Sequence, residues 1–276
     1  MIIHLLNAAL LLGFSLAEGL SGRQERPQTS APYVERIERQ FSFYPGGKIE
    51  IAAGAPGNIE VTGWDRATVS IEAEQIVYYL PPVEAKALAE QYPLRIKYGQ
   101  TSASIATQTP PKATAAMEVN LKIRVPKSKT DLKIRVLEGD LSAGQINGWI
   151  EADLARGNIR AAALQGYFSA TTKAGDIIAE MAGKRWDGQG FSAATQRGAV
   201  HLRLPADYSA ALQVETRSGN ITIDYPEQVI EGEKIPLHIV VKDSARSLTA
   251  SVGAGGASIR LHTAAGDIHL SAIEKF

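Results

Sequence analysis

Aromatic residues next to glycine are the side chains in this sequence best suited to bind a ligand. Trp149 and Tyr167 both follow a glycine and lie 18 residues apart, Trp64 has the same context, and Trp186 lies in a short charged loop. Exposed aromatic rings stack on sugar rings or anchor protein partners. These four residues are the candidates for ligand or partner binding. The alternative is that they only cover a corner of the core.

Asp or Asn follows glycine at six places. Stacked acidic turns bind calcium in some β-helices, but the nonapeptide G-G-x-G-x-D that does so is absent here. Asp and Asn also suit turns, because their side chains accept hydrogen bonds from nearby backbone amides. Turn chemistry is therefore the expectation for Asn58, Asp140, Asn158, Asp176, Asn220 and Asp267.

Histidines and carboxylates show no spacing typical of a catalytic or metal site. His201, His262 and His269 lie in the repetitive half of the chain without an H-E-x-x-H pattern. The carboxylates are scattered along the repeat, and no pair is placed for acid–base work. We therefore expect no catalytic, metal-binding or cofactor-binding residues and no enzyme activity. A carbohydrate-active β-helix enzyme is the less favoured alternative.

Composition excludes further classes of protein. The 276 residues include 29 basic and 29 acidic side chains, and this balance argues against a dedicated nucleic-acid binder. The absence of cysteine excludes disulfides, thiolate metal sites and a cysteine nucleophile. Hydrophobic residues make up 45% of the chain, which is enough for a substantial core.

The first 17 residues have the features of a secretory signal peptide. Residues 5–16 are mostly apolar, a run shorter than the ~20 residues that span a bilayer. Ser15 and Ala17 are small residues at the positions that a cleavage site needs. We predict a signal peptide over 1–17 and a flexible polar leader over 18–32. The protein would be exported to the periplasm, cell surface or exterior, with no transmembrane segment after cleavage.

A nine-residue repeat is the main indication of the fold. Glycines recur every nine residues from 139 to 175, and apolar and polar residues alternate after each one. This alternation is typical of strands, and short strands that cannot bury a face alone can do so when stacked. We predict an all-β fold, a parallel β-solenoid or β-helix of six coils with two strands per coil of about 18 residues. Each coil would lie on the one before it, with Leu141, Ile159 and Ile177 in one interior file. An antiparallel sandwich is the alternative.

The segment before the repeat is also rich in strand patterns. Residues 33–130 form a predicted N-terminal β region with one short helix at 82–92, which begins at a proline. Its buried face is predicted to carry Val83, Ala87 and Leu88. Residues 131–276 form the predicted solenoid region, interrupted at 226–247 by a loop or hairpin. We expect 33–276 to be one continuous domain.

Short glycine-led units are shared with a known family. They include GNIEVTGWDRATVSIEAEQ at 57–75, GDLSAG at 139–144, GNIRA at 157–161, SGNITID at 218–224 and AGDIHL at 265–270. In these units and in their order the chain resembles a bacterial family of putative adhesins. The resemblance implies a secreted β-solenoid without enzyme activity, and it supplies no catalytic residues.

Together these patterns favour a non-enzymatic, adhesin-like protein, secreted or attached to the envelope, that binds through a rigid solenoid surface. The expected partner is a cell-surface glycan or an envelope protein. The alternative is a self-assembling scaffold of the cell envelope, in which exposed coil ends stack into end-to-end homo-oligomers.

Overall fold

The computed structural model describes residues 31–111, 116–225, 228–230, 233–235, 240–242 and 245–273. The predicted signal peptide and the leader up to residue 30 lie outside these described residues.

Strands dominate the described chain, and one helix, α1 (Pro82–Gln91), accompanies them. This confirms the mostly β character and the single short helix. The strands are β1 Tyr33–Ser42, β2 Lys48–Ala53, β3 Ile59–Trp64, β4 Thr68–Val77, β5 Arg95–Tyr98, β6 Ser102–Thr107, β7 Met117–Pro126, β8 Asp131–Glu138, β9 Leu141–Gly144, β10 Asn147–Arg156, β11 Ile159–Ala162, β12 Gln165–Thr172, β13 Ile177–Glu180, β14 Gly188–Arg197, β15 Val200–Leu204, β16 Ala210–Thr216, β17 Ile221–Asp224, β18 Gln228–Ile230, β19 Glu233–Ile235, β20 Val240–Lys242, β21 Ala245–Val252, β22 Ser258–Ala265 and β23 Ile268–Ala272.

Two large sheets contain nearly all of these strands. Sheet I has ten strands in the order β1-β4-β7-β3-β9-β11-β13-β15-β23-β17. Sheet II has eleven strands in the order β20-β21-β16-β22-β14-β12-β10-β8-β2-β6-β5. Strands β18 and β19 pair with each other as an antiparallel hairpin inside the interval 226–247. The central strands of both sheets are parallel, as the repeat predicts.

Each strand of sheet II in the central region is followed along the chain by a strand of sheet I. We call such a pair a layer. From β8/β9 to β12/β13, strands of successive layers pair in register 18 residues apart, so that Ile150 lies beside Phe168 and Ile159 beside Ile177. The described residues form eight layers, β6/β7, β2/β3, β8/β9, β10/β11, β12/β13, β14/β15, β22/β23 and β16/β17.

The core is a set of interior files that run from layer to layer. Leu141, Ile159 and Ile177 occupy matching positions of β9, β11 and β13 and are at most 1% exposed. Ala143 and Ala161 form a second buried file beside them. Because small side chains fill this file, the two sheets share one continuous core. The first file continues through Ile59 and Leu121 at one end and Val200, Ile268 and Ile221 at the other.

The order of the layers differs from the order of the chain at both ends. The layer β2/β3 lies between β6/β7 and β8/β9, and the layer β22/β23 lies between β14/β15 and β16/β17. Strand β21 runs antiparallel along the outer edge of β16, which leaves β22 to enter between β16 and β14. The expectation that each coil lies on the one before it is therefore wrong at these two places. The segment 248–252, counted as a repeat unit, belongs to the antiparallel β21.

The helix packs beside β1 and β4 through a face that shares only Leu88 with the predicted one. Its buried residues are Ala85, Leu88 and Ala89, whereas Val83 is 81% exposed and Ala87 is also exposed. The buried amide of Gln75 in β4 donates hydrogen bonds to the carbonyl oxygens of Ala89 (3.3 Å) and Tyr92 (3.1 Å). These bonds hold the C-terminal half of the helix against the sheet, and so they set its rotation.

Glycines at one corner of seven of the eight layers allow the neighbouring layer to approach. Gly157 has a φ of +136°, and a Cβ atom placed on it would lie 1.9 Å from the carbonyl oxygen of Gly139. Gly175 has the same relation to Gly157. Both the backbone angle and the lack of space exclude a side chain here. Buried threonines bond to the same corners, since Thr172 donates to the carbonyl of Gly157 (3.1 Å) and Thr195 to that of Gly175 (2.9 Å).

Candidate ligand-binding face

Two of the four aromatic candidates meet on the outer face of sheet II. Trp149 of β10 and Tyr167 of β12 occupy paired positions because the 18-residue repeat keeps the parallel strands in register. Their rings stack, with centroids 3.9 Å apart and planes 24° apart. Trp149 remains 40% exposed. The structure therefore forms an exposed aromatic stack at the position that the sequence predicts.

Charged groups surround the free side of Trp149. The indole Nε1 donates to Oε1 of Glu151 at 2.9 Å, and the backbone N–H of Trp149 donates to Oδ1 of Asp131 at 3.3 Å. Lys133 approaches the other oxygen of Glu151 at 3.7 Å. Together with Lys48 these residues line a shallow cavity of about 470 Å³. An aromatic surface bordered by carboxylates and an ammonium group can stack a sugar ring and bond its hydroxyls.

Lys48 and Glu50 form a second charged pair on the same face. Nζ of Lys48 lies 2.7 Å from Oε1 of Glu50. This side-chain hydrogen bond raises the pKa of Lys48 and lowers the pKa of Glu50, and the attraction between the charges acts in the same direction. Both groups therefore stay ionised through the neutral pH range.

The far side of Tyr167 is left open by glycine. Tyr167 pairs with Gly190 of β14, across a register shift between the neighbouring positions 166 and 167. Gly190 has no side chain to cover the phenol ring.

The other two tryptophans lie elsewhere. Trp186 is 5% exposed, its Nε1 donates to the carbonyl of Gly166 at 3.0 Å, and its ring meets the edge of Phe191 at 5.4 Å. Trp64, in sheet I, is half-buried, and the guanidinium of Arg66 lies 5.0 Å from its ring centroid. The structure thus brings Trp149 and Tyr167 together, places Trp186 in the core and leaves Trp64 on a different sheet.

The acidic and amide residues after glycine form a ladder along one corner. Oδ1 of Asp140 accepts a hydrogen bond from the backbone N–H of Asn158 at 2.8 Å, and Oδ1 of Asn158 accepts one from Asp176 at the same distance. These are the backbone-amide bonds of the expected turn chemistry, but the partner is in the neighbouring layer. Asn58 and Asp267 accept the equivalent bonds from Asp140 and Asn220. In the described part of the chain, no group of three or more His, Asp or Glu side chains could hold a metal ion.

The histidines lie on outer strand positions. His201 of β15 and His269 of β23 are paired across sheet I, and their rings stack with centroids 5.6 Å apart. His262, on the outer face of sheet II, places Nδ1 4.0 Å from a carboxylate oxygen of Glu215.

A long groove on sheet II was missed by the sequence reasoning. It has a volume of about 1210 Å³ and follows the C-terminal ends of the strands, beside the aromatic stack on the same outer face. Its cationic side chains are Arg135, Lys173 and Arg217. The residues come from all eight layers, so their proximity follows only from the layer order. A run of alanines at outward strand positions is the one local signal that could have indicated it. These alanines are Ala52, Ala106, Ala155, Ala194 and Ala264.

Comparison with known proteins agrees with the resemblance found in the sequence. Residues 150–271 match the model of the family Toastrack DUF4097. This confirms the resemblance to a bacterial family of putative adhesins whose function is unknown. A search of curated proteins finds no match.

Comparison with solved structures finds matches from Clostridium and Bacteroides species. A putative cell adhesion protein from Clostridium sporogenes ATCC 15579 is 12% identical, with 87% of this chain and 100% of that chain covered and a TM-score of 0.41. A putative adhesin from Bacteroides fragilis NCTC 9343 is 14% identical, with 87% and 97% covered and a TM-score of 0.36. In the part of this chain that the structure describes, α1 is the longest helix and is too short and polar to cross a membrane.

Proposed function

We propose that this protein is a non-enzymatic, adhesin-like binding protein that holds a glycan against the outer face of sheet II. The observation that carries the proposal is the exposed stack of Trp149 on Tyr167, bordered by carboxylates and lysines. Flat aromatic surfaces attract the C–H faces of sugar rings, while charged groups at the border bond the hydroxyls. A folded envelope protein is the less favoured partner, because the stack lies among charged side chains and not in an extended apolar patch.

The architecture supports binding along a rigid surface. In our proposal each layer is one coil of a parallel β-solenoid with two strands per coil, and residues 33–276 form one continuous domain. Outward side chains then recur at the spacing of stacked strands, about 4.8 Å. A polymer with its own repeat can make many weak contacts along such a face, and its affinity then comes from their number.

The outer carboxylates support binding more than catalysis. Glu138, Glu72 and Glu151 each lie within 4 Å of a cation on a neighbouring strand, at 2.7 Å from Arg156, 3.2 Å from Arg124 and 3.7 Å from Lys133. A general acid needs a raised pKa and a free approach to the substrate. Carboxylates held beside cations are unsuited to that role.

Export is part of the proposal. The apolar segment 5–16 with its small-residue site would direct the chain out of the cytoplasm, and the mature protein would act in the periplasm, at the cell surface or outside the cell. Glycans exposed at cell surfaces are accessible in the last two of these places.

The test removes the aromatic stack without touching the core. Trp149→Ala with Tyr167→Ala should weaken binding to oligosaccharides on a printed array at least about tenfold, because both ring faces are lost. Tyr79→Ala is the matched control, since Tyr79 is 76% exposed and follows β4 of sheet I. Circular dichroism checks that each variant is folded. Unchanged binding by the double variant would contradict the proposed site, and shortened glycan products with wild-type protein would contradict the non-enzymatic role.

A further inference from the structure

We propose that the long groove on sheet II binds a linear anionic glycan, with its carboxylates beside Arg135, Lys173 and Arg217. This deepens the proposed function and rests on it, because it names the chemical class of the glycan. The inference is carried by the shape of the groove and by its charges.

The groove is long, narrow and built from small side chains. It crosses all eight layers from β6 to β16, which corresponds to about 34 Å at the usual spacing of paired strands. Alanine methyl groups and Thr171 form much of the floor, while Leu137, which is 53% exposed, rises beside it. A groove of this length and of about 1210 Å³ fits an extended chain and not a compact ligand.

The groove is positively charged in a protein with no net charge. Arg135, Lys173 and Arg217 are exposed, and among the described residues none of them forms an ion pair. The one carboxylate of the lining, Asp153, accepts a hydrogen bond of 2.6 Å from the hydroxyl of Thr171. Asp153 lies beside Arg135 on the neighbouring strand, and the three cations still outnumber this one carboxylate, so the lining attracts an anionic ligand.

The spacing of the cations favours a charged polymer over an amphiphile. Arg135 and Lys173 lie two layers apart, and Lys173 and Arg217 lie three layers apart, about 10 Å and 14 Å along the groove. One head group of a fatty acid cannot reach all three. A chain of uronic acid units has carboxylates along its whole length, and its C–H groups and hydroxyls match a floor of methyl groups and a threonine hydroxyl.

Other polymers fit this groove less well. The lining has no Phe, Tyr or Trp ring on which a nucleobase could stack, and single-stranded nucleic acids depend chiefly on such stacking. An extended peptide gains affinity by pairing its backbone with a sheet edge, whereas this groove lies on the face of the sheet. Trp149 and Asp153 lie four residues apart on β10, about 13 Å, so one glycan can contact both the groove and the aromatic stack.

The experiment compares oligogalacturonates with their fully methyl-esterified forms by isothermal titration calorimetry. The esters keep the sugar chain and lose its charge. Wild-type protein should bind the acid form at least about tenfold more tightly, with affinity that falls as salt rises and increases with chain length until the groove is filled. The variant Arg135→Gln with Lys173→Gln and Arg217→Gln should lose this preference. The matched control Arg160→Gln with Arg203→Gln and Lys86→Gln removes two arginines and a lysine outside the groove and should keep it.

The outcomes separate this inference from the proposed function. Equal affinity of wild-type protein for acid and ester, or an unchanged preference in the groove variant, overturns the inference. If the double variant at Trp149 and Tyr167 still loses glycan binding in that case, the proposed function stands without the groove. If the double variant binds oligogalacturonate like wild type while the groove variant does not, the groove is supported and the aromatic site is contradicted. Binding of oleate through the same three cations, with no binding of oligogalacturonate, also overturns the inference.

Discussion

A backbone carbonyl oxygen of the neighbouring layer explains why glycine recurs at one corner of seven of the eight layers. The oxygen of Gly139 occupies the space that a side chain on residue 157 would need, and the same relation links residue 175 to Gly157. The sequence pattern predicted these turns correctly. It offered no reason for glycine over asparagine, because the obstruction comes from a neighbouring layer.

Gly157→Ala is expected to lower the free energy of unfolding by about 2–4 kcal/mol, since it adds a clash to an unfavourable positive φ. Gly46→Ala is the control, because Gly46 also has a positive φ, +91°, but no neighbouring atom lies within 4 Å of the place that an alanine methyl group would occupy. Gly46→Ala should lower the free energy of unfolding by only about 1–2 kcal/mol. Urea denaturation measures the free energy of unfolding of both variants. Equal losses would contradict a role for the close approach between residue 157 and the carbonyl oxygen of Gly139.

Tyr208 is a buried side chain whose ionisation links folding to pH. It is fully buried, and its hydroxyl has no hydrogen-bond partner among the described residues. Burial raises the pKa of Tyr208, and the nearby Tyr225 adds to the shift. The unfolded chain therefore loses this proton at lower pH than the folded chain does. The resulting stability is fully present below about pH 10 and is lost as pH rises above that value.

Tyr208→Phe is expected to be about as stable as wild type at pH 7 and more stable than wild type at pH 11. The difference in the free energy of unfolding between the variant and wild type should grow by about 1.4 kcal/mol per pH unit above pH 10, because the variant has no proton to release on unfolding. Urea denaturation at the two pH values gives the comparison, with Tyr44→Phe as the control at an exposed position. If the difference in the free energy of unfolding between the two proteins does not change with pH, the ionisation of Tyr208 does not link folding to pH.

At the scale of the element, the nine-residue alternation predicted which side chains point inward. Leu141, Ile159 and Ile177 are buried in one file, and so are the alanines two positions after them. The helix shows the limit of the same reasoning. Its existence followed from Pro82 and good helix formers, but its buried face depends on hydrogen bonds from Gln75, a distant residue in β4.

Ala161→Leu tests the packing of the alanine file. Ala161 is 3% exposed and lies between Ala143 and Ala179 in the neighbouring layers. A leucine here should overpack the core and cost about 1–3 kcal/mol of unfolding free energy. Ala162→Leu, one residue further on the exposed side of the same strand, should cost less than about 0.5 kcal/mol. Similar losses in both variants would show that the file has room for larger side chains.

At the scale of the whole molecule, the repeat could not predict the order in which the layers stack. Every unit carries the same pattern, so a unit fits between any two others, and the pattern holds no information on its neighbours. The groove was missed for the same reason, since its walls combine residues as distant as Ala52 and Ala264. The aromatic stack could be predicted because Trp149 and Tyr167 belong to consecutive layers.

The edge strands of the two large sheets determine whether molecules could stack end to end. Antiparallel strands form three of the four sheet ends, β1 in sheet I and β5 and β20 in sheet II. The outermost strand β1 carries exposed charged side chains, including Glu38 and Arg39. Charges on an edge strand oppose pairing with another chain. These features favour binding through the side of the molecule over end-to-end stacking.

The central claim is that the outer face of sheet II is the binding face, and nuclear magnetic resonance of alanine methyl groups tests it most directly. Oligogalacturonate added to protein with ¹³C-labelled alanine methyls should shift the signals of Ala52, Ala155 and Ala194, which line the groove. The signal of Ala162, exposed on sheet I, should stay in place. Shifts at Ala162 without shifts in the groove would contradict the claim.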